Sequence, residues 1–286
     1  MNISKQAVFQ ARKRQSNFDT ELMELVTQVD IIREDHPGCG VEKMYKTLKP
    51  KFIGRDKFCE IFMELGYRIR TIKNYRRTTI PTHLDYPNLI EGMMVTRPNQ
   101  VLQSDITYFD VEGNHYYIVF IIDVYTREIV GYNASDNMRK ESNIKALKMA
   151  LKHFKSCDIK EMIHHSDRGS QYGSNAYRKL LKEAGVKLSM GLKAQDNAFA
   201  ERINGTIKNE YLKLWPIESF KELQTKLKKA VVHYNTKRQH DNLSGKTPKE
   251  FKSYLGADAD FKVIYVDEIP LLDSGKRRKT VNLYYK

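Results

Sequence analysis

Tyr116-Tyr117-Ile118-Val119-Phe120-Ile121-Ile122 is a run with no charge and no turn former. A run so short and so apolar reads as a strand buried on both faces, and therefore as the centre of a sheet. Gly113-Asn114 before it and Thr126-Arg127 after it are turn pairs, so residues 101–109 and 128–134 flank it as neighbouring strands.

Downstream the pattern alternates. Helical spacing predicts a helix over 140–154, and Glu161-Met162-Ile163-His164-His165 forms a strand that stops at Asp167. A helix over 174–184 and a short strand over 186–189 follow. Three antiparallel strands and then alternating helices and strands are the order of a ribonuclease-H-like mixed sheet, in the α/β class. A doubly wound nucleotide-binding fold fits less well, because no Gly-rich turn follows the first strand.

Three carboxylates stand out against this frame. Asp105 lies inside the first strand, among Val101, Leu102, Ile106 and Tyr108, where burying a charge is costly unless a cation neutralises it. An edge position facing water is the plainer explanation. Asp167 opens the turn Asp-Arg-Gly-Ser at a strand's carboxyl end, where open α/β sheets place ligands; a turn-forming Asp looks the same. From Asp196 to Glu210 a capped helix carries Glu201 and Lys208, seven residues apart and thus about 700° around the axis, on one face. Asn204 and Gly205 lie between them, small enough for a nucleic-acid backbone to approach. A capped surface helix with a stray ion pair is the alternative.

Lys and Arg total 49 against 35 Asp and Glu, a net charge of +14, and nucleic acid is the partner such a balance most often faces. No apolar run of membrane-spanning length and no signal-peptide core occurs, so the expectation is a cytoplasmic, nucleoid-associated protein with no membrane partner. Cys39, Cys59 and Cys157 form no Cys-x-x-Cys pair, which disfavours a disulfide framework or zinc site.

The first 67 residues read as helical. Ser4 caps a start bearing Lys5, Gln6 and then Ala-Arg-Lys-Arg, as a DNA-recognition helix would, or as an ordinary basic amphipathic helix would. A second helix is expected from Asn17 to Glu34, and shorter ones over 41–48 and 55–65. Such a unit suits DNA binding, though a helical dimerisation module has the same pattern. Residues 68–98 read as a basic linker, 99–256 as the sheet-bearing core with a helical extension, and 257–286 as a basic-tipped hairpin. In the extension, Phe220, Leu223, Leu227, Val231 and Tyr234 mark a helix that leads to a polar turn with Arg238 and His240.

Gln103-Ser104-Asp105-Ile106-Thr107-Tyr108, His165-Ser166-Asp167-Arg168-Gly169-Ser170-Gln171-Tyr172, Asp196-Asn197-Ala198 with Glu201, and Tyr234-Asn235 with Arg238, His240 and Pro248 together resemble the catalytic frame of bacterial insertion-sequence transposases. That family belongs to the Asp-Asp-Glu superfamily of retroviral integrases. The likeness covers residues 99–251 and, more weakly, the helix-turn-helix-like N-terminal region. It implies Asp105, Asp167 and Glu201 as catalytic metal ligands, with Lys208, Asn204, Arg168, Arg238 and His240 toward DNA and Lys5 and Gln6 on the N-terminal DNA-binding helix. It implies double-stranded DNA as partner, both element terminal repeats and target, and a homo-oligomer in the DNA complex. A start inside the first helix-turn-helix fits the family habit of encoding the protein in two overlapping frames, with fusion to an upstream-frame product. Two departures stand: Leu102 replaces the usual Trp, and the 33 residues between Asp167 and Glu201 make a slightly short gap. An integrase-type zinc module is absent, since His36, Cys39 and Cys59 lack its spacing.

Three carboxylates brought together with a DNA phosphate require cations, and all-oxygen ligation favours two Mg²⁺ ions with Mn²⁺ as substitute. The expected chemistry is DNA cleavage and joining of the resulting 3′-hydroxyl to a second phosphodiester. A ribonuclease-H-like nuclease without joining, or a DNA-binding regulator derived from a transposase, are the alternatives.

Overall fold

The computed structural model describes residues 4–69, 86–154, 159–191, 194–255, 262–265 and 284–285. They form two compact units.

In the first unit, helices α1 (Lys5–Asp35), α2 (Val41–Leu48) and α3 (Arg55–Glu64) enclose Leu25, Val29, Met44, Phe58 and Phe62. The sequence divides α1 into a basic start and an apolar helix from Asn17; the chain instead makes one helix of 31 residues. Nothing between Arg14 and Phe18 breaks the backbone, and Gln15 donates to Asp19 Oδ1 at 2.8 Å across the expected gap. Ser4 caps it as expected, accepting from Ala7 N at 3.2 Å. The segment Asn209–Trp215 belongs to this unit. Within it His36 Nε2 meets Glu210 Oε2 at 2.8 Å, the His36 ring stacks on Tyr211 at 4.6 Å, and Gly38 N donates to Glu210 O at 2.8 Å.

The second unit carries a five-stranded mixed sheet. Its strands are β2 (Val101–Val111), β3 (Asn114–Asp123), β4 (Ile129–Ser135), β5 (Ile163–Ser166) and β6 (Lys187–Met190), in the order β4-β3-β2-β5-β6. The first three are antiparallel neighbours, and β5 and β6 add in parallel. The apolar run 116–122 is interior as expected, but the middle place falls to β2, because β5 pairs with the edge of β2 that β3 leaves open. The turn into β3 needs Glu112 and Gly113 at φ +47° and +78°, the left-handed region.

Helices α4 (Lys140–His153) and α5 (Asn175–Glu183) cover one face. Ala146, Leu147, Ala150, Tyr177 and Leu181 pack there against Leu102, Val119 and Ile121. A Cβ at Gly131 would lie 2.3 Å from Ala146 O, so only glycine lets α4 come this close to β4. The other face receives α6 (Ala198–Glu210) and α8 (Pro248–Tyr254) through Phe199 and Phe251, which join Val101, Val124 and Tyr125. Between them α7 (Phe220–Thr236) is pinned to β4: Asn235 accepts from Ile129 N at 3.0 Å and donates to Ile129 O at 2.9 Å, as a neighbouring strand would.

A second, three-stranded sheet joins β1 (Met94–Val95), β7 (Lys262–Tyr265) and β8 (Tyr284–Tyr285) in the order β1-β7-β8. β7 and β8 pair antiparallel, Lys262 with Tyr285 and Val263 with Tyr284, and the rest of the segment 257–286, expected to be a basic-tipped hairpin, lies outside the described residues. The stretch 68–98, expected to be a linker, is described up to Ile69 and again from Tyr86. There Ile90 and Val95 are fully buried and β1 pairs with β7, so this end of it is part of the core. Among the described residues no helix is long and apolar enough to cross a membrane.

Candidate active site

The site is built by the way α6 lies along β2. Strand residues alternate faces, so Gln103, Asp105 and Thr107 point to one side, and all three bond to the segment that carries α6. Gln103, fully buried, accepts from Phe199 N at 3.1 Å and Ala200 N at 3.3 Å and donates to Asp196 O at 2.9 Å. It thus satisfies amides that the helix's first turn leaves open. Asn204 Nδ2 donates to Asp105 Oδ2 at 2.6 Å, and Lys208 Nζ donates to Thr107 Oγ1 at 2.6 Å. Four helical residues rise about 6 Å and two strand residues about 6.6 Å, so the two ladders stay in step. Glu201 stands between the Gln103 and Asp105 contacts, at the exposed rim.

Strand pairing brings in the second carboxylate. In the parallel β2–β5 ladder Ser104 is paired with Ser166, so Asp105 and Asp167 are the next residues on adjacent strands. Asp167 lies one residue past the end of β5, half-buried, and its Oδ1 accepts from Gly169 N at 3.1 Å. On the opposite face Ser104 Oγ and Tyr172 OH meet at 2.9 Å, tying the two acid-bearing segments from behind.

Charge crowding follows. Burial, then the charges of Asp167 and Glu201, push the Asp105 carboxyl up to about 7, against the hydrogen bonds from Ile106 N and Asn204. Glu201 is raised as well, by partial burial first and by Asp167 second. Among the described residues no group of three or more His, Cys, Asp or Glu side chains is drawn together closely enough to hold a metal ion, yet the charges of Asp167 and Glu201 both reach Asp105.

The chain is also similar to known proteins. Integrase core domain families match residues 95–195 and 184–248. The 31 kDa protein of insertion element IS600 from Shigella sonnei is 36% identical over 206 residues, spanning 70% of this chain and 75% of that protein. The transposase of insertion sequence element IS904 from Lactococcus lactis is 34% identical over 191 residues, 64% of this chain and 72% of that one. This chain belongs to the insertion-sequence transposases with an integrase core. The transposase of IS629 from Shigella sonnei is 38% identical over 225 residues, covering 76% of this chain and 74% of its own length. Among solved structures, the HTLV-2 integrase catalytic core domain in complex with magnesium aligns with a TM-score of 0.44 and 20% identity, over 54% of this chain and 97% of that one.

The other residues singled out in this transposase fall in four places. Lys208 lies over β2, its ammonium 5.5 Å from the Tyr108 ring centre, and Asn204, 5% exposed, is turned inward onto Asp105. Arg168 is half-buried directly after Asp167. Arg238 and His240 gather around Tyr234 at the end of α7: Arg238 Nη1 lies 3.2 Å from His240 Nδ1, and the His240 and Tyr234 rings meet edge-on at 4.8 Å. Lys5 and Gln6 sit exposed on the first turn of α1, in the other unit. Gln103 and Tyr172 stand within the motifs, but the sequence gives them no task. A buried amide two residues before a strand carboxylate is the only trace that points to Gln103.

Proposed function

We propose that this transposase cuts DNA at the ends of its element and joins the freed 3′-hydroxyl to another phosphodiester, with Asp105, Asp167 and Glu201 as the reacting centre. The observation that carries the reading is the register of α6 on β2, which brings Glu201 into the same field as Asp105 in the strand and Asp167 just past the end of β5, so that burial and neighbouring charge raise Asp105 and Glu201 together. Acids held together against their own repulsion, with oxygen donors only, suit a divalent cation. When bound, Mg²⁺ ions, two of them and replaceable by Mn²⁺, would supply the charge that draws phosphodiester oxygens in and polarises them. The chain's own part is positional. Asn204 keeps one oxygen of Asp105 engaged, Gly169 fixes Asp167, and Lys208 offers a cation for a phosphate beside the scissile bond.

Duplex DNA, both terminal repeats and target, is the partner this assigns, and joining two ends calls for more than one copy of the chain. We assign α1–α3 with Lys5 and Gln6 to holding the element's end, residues 99–256 to chemistry, and Arg168, Arg238 and His240 to backbone contacts. Fusion to an upstream-frame product and work at the nucleoid complete the proposal.

A strand-transfer assay on the element's own terminal repeats tests it. Glu201→Gln keeps the shape and removes the charge, so it should leave end binding nearly unchanged and abolish both cutting and joining in Mg²⁺. Cutting at the wild-type rate by Glu201→Gln, or cutting without joining by the wild type, would sink the reading.

A further inference from the structure

Arg127 sits in the turn between β3 and β4 at φ +64°, a backbone conformation that non-glycine residues seldom adopt. Its guanidinium lies over the Phe199 ring at the start of α6, Cζ 3.8 Å from the ring centre. The side chain is 6% exposed, yet neither Nη1 nor Nη2 has a hydrogen-bond partner. The carboxylate that acts on it, Asp123, is engaged elsewhere: its oxygens accept from Tyr125 N at 3.2 Å and Thr126 Oγ1 at 2.7 Å. Burial lowers the guanidinium to about 9, so it keeps its proton at neutral pH. A buried cation with open donors is costly until an anion completes it.

The surroundings add positive charge. Arg202 follows Phe199 by three residues on α6, hence on the same side of the helix, and its charge acts on Arg127. Tyr234 acts on Arg127 in the opposite sense, favouring its charged form as Asp123 does, and a further cation, Arg238, lies over the Tyr234 ring at 5.7 Å. A guanidinium fork matches the paired oxygens of a phosphate. Building on the reading that this chain handles DNA, we propose that Arg127, with Arg202 and the Tyr234–Arg238 pair, forms an oxyanion site beside the catalytic helix that takes a phosphodiester of bound DNA. Because the Phe199 ring on which Arg127 stacks lies two residues before Glu201, filling the site would also fix the helix that carries that carboxylate.

Binding of a mixed-sequence duplex to the full chain in EDTA tests this without any strand being cut, so failure of the catalytic reading would leave the result intact. Arg127→Met keeps the packing on Phe199 and removes the donors. It should melt no lower than wild type, bind duplex about tenfold more weakly and lose about one unit of salt slope. Arg202→Gln, at an exposed position, should lose affinity in the same sense and carries the test if Arg127→Met does not fold. Inorganic phosphate at matched ionic strength should displace duplex from wild type more readily than chloride does, and should lose that advantage on Arg127→Met. Wild-type affinity and slope in the variants overturn the proposal. Thermal stabilisation of wild type by phosphate, with duplex binding unchanged in Arg127→Met, would mean a free oxyanion and would overturn the DNA assignment.

Discussion

At Asp105 the fold opposes ionisation. An unfolded Asp titrates near about 3.9, and here burial and two neighbouring acids carry the carboxyl up to about 7. For a raised pKa the sign is fixed: the stabilising contribution is complete below about 4 and lost as pH rises through about 7. In EDTA the wild type should therefore be relatively more stable at about pH 5 than at about pH 8, and Asp105→Asn should flatten that difference. Thermal melts at the two pH values check it, and an unaltered pH dependence in Asp105→Asn would count against the assignment. Asn204 acts in the opposite sense, since its 2.6 Å bond favours the charged form. Asn204→Ala should move the acid limb of the cutting rate to higher pH, with end binding little changed; a limb that stays in place would mean that the bond does not tune Asp105. The three carboxylates stand out in the sequence because each sits in a local pattern of strand, turn or helix face. Asn204 reads there as a DNA contact, because the acceptor that turns this amide inward lies 99 residues away on another element.

The elements reveal why a buried amide matters as much as the acids. Two of the contacts that hold α6 to β2 come from Gln103, which also donates to Asp196 O just before the helix, and its loss would leave the amides of Phe199 and Ala200 without their acceptor. Each buried donor so stranded costs about 1–3 kcal/mol. Gln103→Leu is expected to lower the melting temperature and to reduce cutting far more than duplex binding, because it frees the start of the helix bearing Glu201. Equal losses in binding and cutting would show that the residue merely holds the fold. Strand and helix identities were legible from periodicity here, down to an Asp just past a strand end. The middle place of β2 was not, because its parallel partner, with Ile163 set against Val101, comes from a distant stretch of the chain and leaves no mark on β2 itself.

On the scale of the whole chain, the sequence break near Pro98 suggests a cut at Arg97 between DNA anchoring and chemistry, and the packing argues for an earlier one. Ile90 and Val95 are both closed to water, packed with Val101, Phe199 and Phe251, and Val95 is paired with Ile264 through β1 and β7. They escaped notice because two buried residues set among prolines and turns make no period. A fragment from Arg97 forfeits both side chains, at a cost of order several kcal/mol in a packed core; one from Tyr86 keeps them. Either fragment loses α1–α3, the elements that share the first unit with the buried Tyr211 and Leu212, and so exposes an apolar patch after α6. The Tyr86 fragment should therefore melt well above the Arg97 fragment, and Leu212→Ser should reduce the aggregation of both. Both should keep metal-dependent nicking and lose preference for the terminal repeats. Melting curves, light scattering and competition with unrelated duplex measure these outcomes. If the two fragments melt together, residues 86–96 are a tether after all; if either still selects the terminal repeats as the full chain does, end recognition does not reside in the N-terminal helices.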